Sequence, residues 1–187
     1  MQISEYYDSV ASFWDDDFSG AKAARIVAST VSIPRGGACV LDVGCGSGSM
    51  FLDLMEAGAC EIEGVDISGA AVYAVNCFHE SYGMPCRAAC VDVLCPGAIP
   101  RARFDVALLF KLLPLLERQR TGAARAVMSA VNAEYLVASF PTRTLGGRNV
   151  GMAAQYSGWM EAHVPAGRSV AASFEMGTEL FYVLGRA

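Results

Sequence analysis

What this sequence is short of narrows its function before any motif is read. No apolar run approaches the roughly 20 residues that a helix needs to cross a bilayer. The longest stretch, "VALLFKLLPLL" at 106 to 116, is short and broken by Lys111 and Pro114. The N-terminus, "MQISEYYDSV", lacks a basic segment followed by an apolar one, so no secretory signal is read there and a cytoplasmic protein is expected. Charge is scarce: 18% of residues are charged against 53% hydrophobic, which excludes disordered and fibrous classes. There is no internal repeat, no low-complexity tract and no dividing linker. A chain of 187 residues then reads as one domain, 1–187, with a core of useful size.

Metal chemistry is poorly supplied as well. Cys39, Cys45, Cys60, Cys77, Cys86, Cys90 and Cys95 include no CxxC pair, and the closely spaced Cys86, Cys90 and Cys95 have no histidine nearby. That is a poor match to zinc spacing, so no metal is expected. An odd number of cysteines without a secretory signal reads as reduced thiols buried as small hydrophobes. Histidine is rare: His79 and His163 belong to no motif and are expected at the surface.

What the chain does have is alternation. Runs rich in Val, Ile, Leu and Cys recur at 38 to 43 ("ACVLDV"), 60 to 67 ("CEIEGVDI"), 86 to 93 ("CRAACVDV"), 104 to 110 ("FDVALLF") and 134 to 140 ("EYLVASF"). Segments such as "SMFLDLMEAG" and "GAAVYAVNCFHESYG" between them are long enough for right-handed helical crossovers. At the end, "RSVAASFEMGTELFYVLGR" pairs two alternating runs around Met176-Gly177-Thr178, as an antiparallel hairpin does. The expectation is an α/β fold, a doubly wound and mostly parallel seven-stranded sheet closed by that C-terminal hairpin. Residues 1–37 are expected to form a helical cover, with Ser19 as a possible N-cap, and 38–187 the core.

Charge is divided between the halves. Residues 1 to 100 hold 4 Lys or Arg against 13 Asp or Glu, whereas residues 101 to 187 hold 10 against 6. A polyanionic partner should therefore meet the C-terminal half.

"VLDVGCGSG" sets Gly44, Gly46 and Gly48 where the first strand turns into the first helix. Such a turn lets the backbone approach a ligand at a helix N-terminus, and by itself it fits a dinucleotide as well as any other adenosine compound. Asp66 ends the second strand, 24 residues after Asp42, where a carboxylate can accept both hydroxyls of a ribose. Asp92 ends the third, where it can accept from an adenine amino group. The plainer alternative, that Asp66 and Asp92 only cap the helices that follow, remains open.

"VLDVGCGSG", "GVDIS" and "CVDVL" resemble the nucleoside-binding signatures of class I S-adenosylmethionine-dependent methyltransferases. The resemblance implies that Gly44 and Gly46 flank the methionine part of the cofactor, Asp66 holds the ribose, and Asp92 with Val93 frames the adenine. Asp42, Cys45, Ile67 and Phe110 complete the implied cofactor set. An NAD enzyme fits less well, because a second dinucleotide half needs more chain than remains.

A narrower likeness follows. "FDVALLFKLLPLLERQRTGAA" and "SFPTRTLGGRNVGMAAQYSGWME" look like the aminoglycoside-resistance 16S rRNA guanine-N7 methyltransferases, with the Lys111, Pro114 and Glu117 spacing and the Pro-Thr-Arg loop as the most specific pieces. It implies that Lys111, Arg143 and Arg148 lie near a bound nucleotide, with the 30S subunit and its 16S rRNA as partner. Guanine N7 carries a lone pair in the neutral base and loses no proton on methylation, so no catalytic base is expected and positioning suffices. Tyr156 or Trp159 would be available to stack on a base. The loop at 139 to 152 offers Arg143 and Arg148 without a carboxylate, as a phosphate clamp would, though Gly146 and Gly147 also suit a plain surface turn.

The resembled enzymes carry a substantial helical N-terminal domain. Here 37 residues precede the first strand, with Glu5, Asp8, Asp15, Asp16 and Asp17 against Lys22, Arg25 and Arg35. The alternatives are therefore a methyltransferase for a small molecule, with "YYDSVASFW" as a lid, and a cofactor-binding domain without catalysis.

Overall fold

The computed structural model describes residues 37–56, 58–142 and 152–187. Within them a seven-stranded sheet is ordered β3-β2-β1-β4-β5-β7-β6. The strands are β1 (Ala38–Val43), β2 (Ala59–Asp66), β3 (Cys86–Cys90), β4 (Phe104–Phe110), β5 (Ala133–Pro141), β6 (Arg168–Met176) and β7 (Glu179–Arg186). The helices between them are α1 (Ser49–Glu56), α2 (Gly69–Tyr82), α3 (Leu113–Gln119), α4 (Ala123–Ala130) and α5 (Met152–His163). β1 to β5 run parallel, and β7 enters antiparallel between β5 and β6. This is the mostly parallel sheet with a terminal hairpin that the alternation predicts.

Successive side chains of a strand point to opposite faces, and in the central strands both faces are covered. Val106 and Leu108 of β4 join a core beneath α1 and α2 with Phe51, Leu54, Ile62 and Val75. Ala107 and Leu109 join the other, beneath α3, α4 and α5, with Leu113, Val127, Met128 and Met160. That is why "FDVALLF" reads as an unbroken apolar run. β3 and β6 lie at the sheet's edges and are largely exposed, so their residues alternate or turn polar. β3 is also shorter than its sequence pattern suggests: pairing with β2 ends at Cys90, and Asp92 lies two residues beyond, in a loop.

Two readings are corrected by the packing. His79 is 3% exposed, its ring stacked on Phe51 at 5.0 Å between centroids, and His163 is half-buried against Trp159 at 4.0 Å. Burial holds the pKa of His79 below its ordinary value. It falls on the buried stripe Ala71, Val72, Val75 and His79 of α2, so the apolar face takes the ring in. The cysteines are free thiols, but Cys45 alone is buried, while Cys60, Cys90 and Cys95 are exposed on or near edges and turns.

Strand order reverses between β1 and β4, the two neighbours reached by connections that run in opposite directions from the middle of the sheet. A crevice opens at the carboxyl ends of strands at such a switch point, because the flanking connections leave on opposite sides.

Candidate active site

The crevice is about 220 Å3 and opens at that edge. Its floor is the turn from β1 into α1. The peptide N–H groups of Gly44 and Cys45 both donate to the Val65 carbonyl, at 2.7 and 3.2 Å, which ties the turn to β2. Gly46 has φ +52, and a Cβ built there meets nothing within 4 Å, so the backbone is bare toward the opening. Gly48 is different: its φ is +72 and a Cβ would lie 2.8 Å from Val75, so it lets α2 pack close behind the turn.

Asp66 is held by the backbone. One carboxylate oxygen accepts from Gly46 N–H and the other from Ser68 N–H, each at 2.8 Å. Ser68, not Asp66, caps α2, its hydroxyl accepting from Ala71 N–H at 3.2 Å. The carboxylate keeps further lone pairs in both oxygens while its orientation is fixed. Asp92 is likewise set by its loop, accepting from Leu94 N–H at 2.9 Å. Asp42 lies deeper, 3% exposed, and burial followed by the charge of Asp66 pushes its pKa up to about 7. The same burial, with Asp42 and Asp66 behind it, raises the Cys45 thiol far above the ordinary range, which keeps it neutral and unsuited to nucleophilic attack.

All of Asp42, Gly44, Cys45, Gly46, Asp66, Ile67, Asp92, Val93 and Phe110 line this crevice, and so does Lys111. Arg143 and Arg148, with Gly146 and Gly147, lie outside the described residues, as do residues 1–36 with Ser19 and the "YYDSVASFW" segment. Tyr156 and Trp159 do not line the crevice: both pack on Phe140, at 4.9 and 5.7 Å between centroids, and their rings serve the core. Glu117 is a structural piece of the Lys111, Pro114 and Glu117 spacing. It accepts from Gly122 N–H at 2.7 Å and Ala124 N–H at 3.2 Å, capping α4, while Pro114 lies in the first turn of α3.

The wall opposite the glycine turn carries no cofactor-binding motif in the sequence. Leu112, Leu115, Leu116 and Gln119 close the crevice from α3, and Arg120 just beyond donates to the Leu94 carbonyl at 3.0 Å, tying α3 to the loop after β3. The leucine density of "KLLPLLERQ" was the available signal. The site thus combines an apolar slot, two carboxylates fixed by backbone N–H groups with a third carboxyl buried behind them, and a backbone open to close approach. These suit an adenosine carrying a positive charge, and no imidazole lines the crevice. Among the described residues no group of His, Cys, Asp or Glu is placed to hold a metal, and no helix is long and apolar enough to cross a membrane.

A family model for ribosomal RNA methyltransferase (FmrO) matches residues 21–183. The chain belongs to that family. The 16S rRNA (guanine(1405)-N(7))-methyltransferase of Serratia marcescens is a relative, 40% identical over 145 residues, covering 78% of this chain and 56% of that one. The chain therefore spans little more than half of that relative. In three dimensions it is similar to 16S rRNA methyltransferase RmtF in complex with S-adenosyl-L-homocysteine, with TM-score 0.75, 33% identity, and coverage of 98% of this chain and 75% of that one. It is also similar to 16S rRNA methylase RmtB, with TM-score 0.72, 29% identity, and coverage of 98% and 74%.

Proposed function

We propose that this chain transfers a methyl group from S-adenosylmethionine to N7 of a guanine in 16S rRNA, within the small ribosomal subunit in the cytoplasm. The convergence of nine expected residues on one crevice at the switch point, in a member of the FmrO family, is the observation that carries this reading. Residues 38–187 act as a single catalytic core, with 1–37 as its cover.

S-adenosylmethionine supplies an electrophilic methyl on a sulfonium. Asp66 would accept from the ribose hydroxyls, Asp92 from the adenine amino group beside Ile67 and Val93, and Asp42, Gly44, Cys45 and Gly46 would surround the methionine part. The carboxylates also favour a cation electrostatically. Phe110 would complete the cofactor pocket, Lys111 would stand at the acceptor side, and Arg143 and Arg148 would contact phosphates of the RNA. The N7 lone pair would form the bond to the methyl carbon as the carbon–sulfur bond breaks, leaving neutral S-adenosyl-L-homocysteine and a cationic N7-methylguanine, so no residue need remove a proton. The protein's contribution is to align that nitrogen with the methyl and to exclude water. The crevice fits this chemistry, since its carboxylates are braced by backbone donors or buried, and its one thiol is neutral.

The test is incubation of the protein with methyl-labelled cofactor and 30S subunits, followed by aniline cleavage of the RNA at N7-methylguanine. Label in 16S rRNA with one new cleavage site is expected, falling steeply with salt and in the Arg143→Ala, Arg148→Ala double variant. Label in small molecules of a metabolite extract, with none in 30S subunits, would replace this reading with a small-molecule methyltransferase.

A further inference from the structure

The carboxyl ends of β4 and β5 meet the amino end of β7 at three polar residues, Lys111, Ser139 and Glu179. We infer that Glu179 is a positioning residue whose carboxylate fixes the Lys111 ammonium at the acceptor side of the crevice. The inference rests on the proposed methyl transfer to RNA, in which Lys111 meets the nucleotide.

Glu179 is the first residue of β7, opposite Pro141. It is 6% exposed in a strand whose following residues, Leu180 to Leu184, are all buried hydrophobics. One carboxylate oxygen lies 3.6 Å from Lys111 Nζ, and the other is buried without a hydrogen-bond partner. Taking a carboxylate out of water is unfavourable, and leaving one oxygen bare adds to the cost. Packing alone would favour an apolar residue at this point.

Lys111 carries a second unfavourable feature. Its φ of +54 is the one positive value of a non-glycine residue among the described residues. A lysine in the left-handed region is strained. The turn is held by its peptide N–H, which donates to the Ser139 carbonyl at 3.0 Å and lies 3.2 Å from the Ser139 hydroxyl, with Ser139 fully buried. Two features that each disfavour folding thus coincide where β4 hands over to the crevice wall, and both act on one side chain. The left-handed turn sets where the stem of Lys111 departs. A four-carbon stem is still flexible, and a fixed counter-charge gives its ammonium a defined place. Glu179 supplies that charge from a buried, rigid strand.

The test is a double-mutant cycle with Lys111→Ala and Glu179→Gln, the second keeping size and shape while removing charge. On 30S subunits, Glu179→Gln is expected to lower kcat about tenfold, with S-adenosyl-L-homocysteine affinity within about twofold of wild type, and to have no further effect in the Lys111→Ala background. Glu179→Asp should recover part of the rate. Additive losses, or a loss of cofactor affinity in parallel with rate, would overturn the inference. A second readout needs no RNA: mass spectrometry of Lys111 acetylation by acetic anhydride. Release of the ammonium in Glu179→Gln should speed its modification roughly threefold or more relative to the other lysine, Lys22. An unchanged rate overturns the pairing even if 30S subunits are methylated, whereas a wild-type protein inactive on 30S subunits defeats the proposed function and leaves the acetylation result to decide the pairing.

Discussion

The two halves of the sheet's carboxyl edge make opposite use of charge. On the β3-β2-β1 side, Asp42, Asp66 and Asp92 face the crevice, and the two nearest the opening are fixed by backbone N–H groups of the turns that follow the strands. On the β4-β5-β7 side, the one cation that lines the crevice among the described residues, Lys111, is placed by a strained turn and a counter-charge from a distant strand. The acidic side is assembled from local hydrogen bonds, which any chain with that strand-turn-helix pattern can form. The basic side depends on contacts between strands far apart in sequence. Under the proposed function the difference would match two tasks: a cofactor is the same small cation each time, whereas an RNA acceptor must be met by groups placed for one geometry.

The largest effect should come from the acidic side. Asp66→Ala removes an ionised acceptor and the brace on Gly46 and Ser68, and should weaken cofactor binding by about 100-fold, or ~2.7 kcal/mol, in a calorimetric titration. Next is Gly64→Ala in β2, whose added methyl would lie 2.6 Å from Phe51 and 2.8 Å from the Cys45 sulfur. It should destabilise the fold by ~2 kcal/mol in denaturant unfolding, and an unchanged midpoint would show that the floor of the acidic side can yield. Asp42 offers a test by pH. An acid whose folded pKa is raised to about 7 keeps its proton on folding, so its contribution to stability falls as pH rises from its unfolded value of about 4 toward 7. Asp42→Asn should gain on wild type through that window and no further above it; a difference flat in pH would contradict the burial argument.

The smallest effect lies on the basic side. Glu117 is held below the ordinary carboxylate range, first by the Gly122 N–H that it caps. Its stabilising contribution is present above its unfolded pKa and is lost as pH falls through the folded one. Glu117→Ala should cost ~1 kcal/mol at neutral pH, less in acid, with cofactor affinity unchanged. A comparable loss of affinity would show that α4 is coupled to the acidic side after all.

The sequence disclosed most of the acidic side, because its signals are local. β1 and β4 begin and end where their apolar runs do, and the glycine turn with its spaced aspartates converges as read. β3 was overextended because Val91 and Val93 continue a strand-like run, while the register with β2 stops at Cys90. His79 is buried where its polar character predicts exposure, because its helical spacing from Val75 brings a flat ring against Phe51. Tyr156 and Trp159 were offered to a base, yet Phe140 claims both, a tertiary contact that no local pattern reveals. The pairing of Glu179 with Lys111 escaped for the same reason: within "MGTELFY" it reads as one polar residue beside a hairpin turn.

The account turns on whether this crevice holds the adenosyl cofactor through the acidic side. Titration of S-adenosyl-L-homocysteine into the folded wild-type protein and into Asp66→Ala, followed by calorimetry near neutral pH, measures that directly. One equivalent should bind to wild type, with the heat lost at the same concentrations in the variant. A folded wild-type protein that takes up none, or a variant that binds equally well, would contradict it.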